Sequence, residues 1–153
     1  MPELNDELIK LCNDQIDHEL EASQLYLSMA AWMRAQSDEE REHALKFYEH
    51  MAERGNRIHI GGVPEPKQAW EGPLDAFQEA FAHEQKVTQQ IYEIYKAAET
   101  HHDYALQGFL DWFVEEQIEE ENSTRDVVEL LERVGGDPYR LYKVDRELAA
   151  RDA

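Results

Sequence analysis

The chain has 153 residues, 34 of them acidic and 15 basic, for a net charge of -19. That length suits one domain with a core of its own, and the charge disfavours nucleic acid and anionic membrane surfaces as partners while favouring cations. Cys12 is the only cysteine, which excludes an intrachain disulfide and a cysteine-based metal site.

Gly and Pro are absent from residues 3–54, and from 74–134 except for Gly108. No segment alternates like a strand, so the expected fold is all-α. Helices are expected at about 4–31, 32–54, 74–100, 103–134 and 138–150, within a single domain spanning 1–153. The first carries a stripe of Cys12, Ile16, Glu19, Ser23, Tyr26 and Ala30, whose alternating spacings of four and three face a helix bundle. The connection at 55–73 holds most of the Gly and Pro. Extended at ~3.3 Å per residue, its 18 residues from Gly55 to Gly72 reach roughly 59 Å, more than the ~42 Å of a 28-residue helix. It can therefore travel the whole bundle, which makes the topology one with a single long crossover. The third helix starts after Pro73 and carries Phe77, Phe81, Glu84, Thr88, Ile91 and Tyr95 on its stripe. The fourth opens near Asp103, a suitable N-cap, and carries Leu110, Phe113, Gln117, Glu120, Thr124, Val127 and Leu131. Gly135-Gly136 stops it, and Asp137-Pro138 opens a short fifth helix.

Ligand-type residues recur in two copies of one pattern. Glu19 is followed by Glu40 and His43, and Glu84 by Gln117 and Glu120, so each copy has one lone carboxylate and then an i, i+3 pair. A Glu from each of two helices and a Glu-x-x-His-like pair from each of two others is the arrangement of a carboxylate-bridged two-metal centre in a four-helix bundle. These residues sit where Leu or Phe would normally pack. Ionised carboxylates there are costly unless they are paired or hold a cation. Arg41 lies on another face, so divalent cations are the natural compensation. Any single Glu is better read as solvated, but six residues on one template are not. Mostly oxygen donors with one imidazole suit Fe, Mn or Zn.

The residues that carry the pattern resemble the ferritin family, in particular the non-haem ferritins of bacteria and archaea, over nearly the whole chain. The matching segments include 19–26, Glu39-Glu40-Arg41-Glu42-His43-Ala44, Glu53-Arg54-Gly55, His83-Glu84, the run 111–117, and Leu141 to Leu148 in the fifth helix. The resemblance implies a ferritin-like four-helix bundle with a long crossover between its second and third helices and a short fifth helix. It also implies a homo-oligomeric cage of two dozen subunits that oxidises Fe(II) with O2 or H2O2 and stores ferric mineral.

Carried over by position, Glu19, Glu40 and His43 would hold one iron. Glu40 would bridge to a second iron, held also by Glu84, with Gln117 beside the pair and Tyr26 as an adjacent redox-active or orienting tyrosine. Glu39, Glu116, Glu119 and Glu120 match a third iron site; an exposed helix face would read the same way. Gln117, Glu120 and Arg41 replace the second Glu-x-x-His and the haem-ligating Met of bacterioferritins, so haem is not expected. Rubrerythrins need Cys-x-x-Cys pairs. The acidic three-fold pore residues of animal ferritins are not matched by Gln107-Gly108-Phe109-Leu110.

Two other readings of the function remain: a di-iron or di-manganese oxidase or oxygenase acting on an organic substrate, and a metal-buffering bundle without turnover. No apolar run approaches the ~20 residues that cross a bilayer, and residues 2–10 lack a secretory pattern, so a cytoplasmic location is expected.

The two halves differ in length. Glu84 and Gln117 are 33 positions apart, but Glu19 and Glu40 only 21. The stretch from Met29 to Gln36 has no Gly, Pro, Asn or Asp to make a turn. Residues of a loop near Ala31 are absent from the sequence as written, or the protein carries a true deletion, or the first two helices run on and exchange between subunits. The first is preferred, because a deletion would shorten each helix by roughly 9 Å.

Overall fold

The computed structural model describes residues 32–62, 65, 67 and 69–151. The expected first helix, with Glu19 and Tyr26, lies outside the described residues. Among the described residues there is helix and no strand. The helices are α1 (32–53), α2 (Pro73–Thr100), α3 (Tyr104–Val134) and α4 (Pro138–Arg151). The chain divides into two compact units, one of Met1–Ala44 with Val134–Ala153 and one of Leu45–Arg133.

In the second unit the end of α1 is set by glycine. Gly55 has φ 72, the left-handed conformation open to a residue without Cβ. Its N–H donates to Ala52 O at 2.9 Å and Asn56 N–H to Met51 O at 3.0 Å, the paired bonds of a Schellman stop. The crossover is fastened to the start of α2 by polar contacts. Lys67 Nζ lies 2.7 Å from Glu79 Oε2, Trp70 Nε1 donates to the same oxygen at 2.9 Å, and Glu71 N–H donates to Asp75 Oδ2 at 3.0 Å. Pro73 occupies the first turn of α2, where its missing N–H costs nothing.

The connection from α2 to α3 is a tight helical hairpin. Asp103 N–H reaches Ala98 O at 2.9 Å and His102 N–H reaches Glu99 O at 3.1 Å, with His102 at φ 54. Asp103 then caps α3: its Oδ1 accepts from Leu106 N–H at 3.0 Å, and its Oδ2 pairs with Arg54 Nη2 at 2.8 Å. The Arg54 guanidinium, and next the Leu106 amide, hold the Asp103 carboxyl below its ordinary value. The unfolded chain therefore takes up this proton more readily than the folded one. The stabilisation is present above the ordinary Asp value of about 3.9 and is lost as pH falls through the lower folded value. Asp103→Asn keeps a capping oxygen but not the charge. Its Tm should fall less steeply than that of wild type below about pH 4, and calorimetry across that window checks it. A parallel fall in both proteins would refute the assignment.

The core of this unit forms around Ile91, Leu110 and Phe113, with Phe47, Val87, Tyr95, Leu106, Phe109 and Val114 packed against them. Burying each of the three contributes about 1.5–3 kcal/mol. The rings interlock: Phe47 and Phe113 centroids are 4.5 Å apart, and Phe47 meets Phe109 edge-on at 5.1 Å. The first unit holds the other ends. Gly135, at φ 57, follows α3. Asp137 caps α4 through Tyr139 N–H at 3.0 Å, and α4 buries Val144 and Leu148, one turn apart.

Candidate metal centre

On α2 the buried residues are Phe77, Glu84, Thr88, Ile91 and Ala98. On α3 they are Leu110, Phe113, Gln117, Glu120, Thr124, Val127, Val128 and Leu131. Apolar side chains thus occupy both ends of each stripe, and a polar band of five residues crosses the middle. Glu84 is 6% exposed, Thr88 6%, Gln117 3%, Glu120 5% and Thr124 1%. An i, i+3, i+4 repetition places these residues on one face. The fold then takes that face out of water with its carboxylates included.

Gln117 is the hub of the band. Its Nε2 donates toward Glu84 O at 3.2 Å, Glu84 Oε2 at 3.3 Å and Thr88 Oγ1 at 3.3 Å. Two N–H groups shared over three acceptors leave Oε1 as the free donor atom of the amide. The Thr88 hydroxyl is shared between Glu84 O at 3.1 Å and Glu121 Oε1 at 2.5 Å, and the shorter bond is the charge-assisted one. Thr124 Oγ1 donates to Glu120 O at 2.7 Å, which leaves the Glu120 carboxylate to other partners. The band therefore offers hard oxygen atoms, two carboxylates and an amide carbonyl, at buried positions. Oxygen donors of this kind suit hard metal cations.

In the first unit, His43 Nδ1 lies 3.6 Å from Glu40 Oε2, one helical turn away. The His43 side chain is 12% exposed and that of Glu40 42%. Glu39 and Glu119 are exposed and Glu116 is half-buried. The structure brings Glu40 to His43 and Glu84 to Gln117. Two residues outside the expected ligand set join the band as partners: Thr88, and Glu121 through it. Thr88 stands four residues after Glu84 and so on its face, which is the signal that pointed to it.

A helical chain with a carboxylate and amide band midway along its buried faces is a protein built to hold hard metal ions. Its sequence matches the ferritin-like domain family over residues 9–134. A relative named bacterial non-heme ferritin from Staphylococcus haemolyticus is 35% identical over 160 residues, covering 97% of this chain and 96% of the relative. Its counterpart from Staphylococcus saprophyticus is 36% identical with the same coverage. Among solved structures, an open pore ferritin from the hyperthermophilic archaeon Archaeoglobus fulgidus is 38% identical with a TM-score of 0.76, covering 95% of this chain and 98% of that one. An engineered closed form of the Archaeoglobus fulgidus ferritin gives a TM-score of 0.75 at 38% identity, covering 95% of this chain and 96% of that one. The chain belongs to the ferritin family. Its fold class is all-α and ferritin-like, and iron storage with Fe(II) oxidation is the function that this membership carries.

The alignment with the Staphylococcus haemolyticus relative is longer than this chain, 160 residues against 153, although 97% of the chain is aligned. The relative therefore has residues with no counterpart here.

Proposed function

We propose that the chain oxidises Fe(II) at a dinuclear centre within each subunit and deposits the product as ferric mineral inside a homo-oligomeric cage of two dozen copies. In this reading residues 1–153 form a single ferritin-like domain. Glu19, Glu40 and His43 hold one iron, and Glu40 and Glu84 share a second. Gln117 presents Oε1 beside them, and Tyr26 stands next to the pair. Glu39, Glu116, Glu119 and Glu120 form a third iron site. Two Fe(II) give one electron each to O2, which takes up two protons and leaves as H2O2.

The buried band of Glu84, Gln117 and Glu120 is the observation that supports this most directly. Such groups are stable out of water when they bind cations. Among the described residues no helix is long and apolar enough to cross a membrane, and the proposed setting is the cytoplasm.

The test is direct. Purified protein given Fe(II) without oxygen and then exposed to air should oxidise it rapidly. The product should remain in solution as an iron-loaded particle of hundreds of kilodaltons, as expected for two dozen subunits of 17.9 kDa. Zn(II), which has the same ligand preferences but no redox chemistry, should inhibit. Fe(II) binding with no oxygen consumption, or a small oligomer, would overturn the reading.

A further inference from the structure

The seam between α2 and α3 contains a cavity of about 160 Å³ lined by Thr88, Tyr92, Gln117, Ile118, Glu121 and Asn122. Its rim is open. Ile118 is 57% exposed and Tyr92 45%, and Asn122 is exposed as well. Its floor is buried, at Thr88 and Gln117. The Gln117 amide that forms the floor touches the Glu84 carboxylate at 3.3 Å. One side chain thus separates the cavity from the buried carboxylate band. We propose that this cavity is the port through which a small neutral oxidant, hydrogen peroxide, reaches the metal centre. The inference rests on the dinuclear reading above and adds the route of one substrate to it.

Size and chemistry select the occupant. A water molecule claims about 30 Å³ of liquid volume, so the cavity holds a handful of water-sized molecules. A flavin ring system is too large to be enclosed in it. A fully hydrated divalent cation, with six waters around it, would have to shed them to enter. The lining has no cationic side chain, and Glu121 places a carboxylate on the wall, which repels anions such as superoxide. Hydroxyl, amide and carboxylate groups do line it, and they serve a ligand that both donates and accepts hydrogen bonds. Hydrogen peroxide has that property at close to the size of two waters. In the reaction each of two Fe(II) gives one electron, the O–O bond breaks, and both oxygens leave as water after taking up two protons.

Ile118→Trp and Asn122→Phe each plug the rim without touching the floor. At two Fe(II) per subunit, the apparent KM for hydrogen peroxide should rise about tenfold in both variants, with kcat within about twofold of wild type. Fe(II) binding measured without oxidant should be unchanged. If both variants keep the wild-type dependence on peroxide, the port is wrong and the dinuclear reading stands. If wild-type protein itself binds no Fe(II) in the absence of oxidant, the reading fails and the port falls with it. Gel filtration of both variants guards the comparison. A change confined to a variant that no longer assembles counts against the port unless the other variant, correctly assembled, repeats it.

Discussion

Replacing Glu84 by alanine is expected to slow Fe(II) oxidation by about 100-fold or more, since losing even a hydrogen-bond partner of a ligand costs 10–100-fold. The same substitution should leave the Tm of the metal-free protein unchanged or raised. The two expectations come from one fact: Glu84 is a carboxylate at 6% exposure on the buried face of α2. Burying an ionised carboxylate costs stability that its partners only partly return, and alanine is the better helix former. The change removes the carboxylate acceptor of Gln117 Nε2 but leaves that amide two others. Gln117 Nε2 keeps the main-chain oxygen of residue 84 at 3.2 Å and Thr88 Oγ1 at 3.3 Å. Stopped-flow absorbance of Fe(III) and calorimetry of the metal-free protein give the two numbers. Wild-type oxidation rates in Glu84→Ala would remove Glu84 from the metal centre. A large fall in Tm with metal-free protein would make its role structural instead.

The second large effect is on stability. Phe113→Ala should destabilise the metal-free protein by about 3–5 kcal/mol, the cost of truncating a buried aromatic side chain in a packed core. Phe113 is 3% exposed. Its ring lies between Phe47, at 4.5 Å between centroids, and Trp112, at 4.8 Å and nearly perpendicular, with Phe109 at 5.2 Å. Three rings held at these separations leave a cavity that cannot easily collapse. Ile118→Ala, five residues on but at 57% exposure, should change stability by less than about 0.5 kcal/mol. Urea unfolding of both variants at one protein concentration tests the contrast. A loss below about 1 kcal/mol for Phe113→Ala would mean that the aromatic cluster relaxes around the gap.

The all-α class was legible because helix breakers cluster in two places and leave long uninterrupted runs between them. The polar stripe on α3 was legible for a similar reason. The residues from Leu110 to Leu131 that share one face by helical spacing are the ones that the fold buries. Physical chemistry links the two: a continuous face can only be internal if most of it is apolar, and here it is, apart from the band at Gln117, Glu120 and Thr124. The short spacing from Glu19 to Glu40 was legible as a simple count.

The acidic run of α3 shows where that legibility stops. Glu115, Glu116, Glu119, Glu120 and Glu121 cover nearly two turns, so a carboxylate points in almost every direction around the helix. Spacing alone cannot choose among them. Tertiary packing does: Glu120 is buried, Glu116 and Glu121 are partly covered, and Glu115 and Glu119 face water. The same packing brings Thr88 from α2 against Gln117 and Glu121 on α3, some thirty residues away. It also leaves the cavity beside them. By itself, then, the sequence determined the helices, the buried faces and the kind of atom available to bind iron, because those follow from local periodicity and side-chain chemistry. Only the tertiary structure decided which carboxylates lose their water, which amide nitrogen is occupied and where the surface opens onto the band, because each depends on how closely a second helix approaches the first.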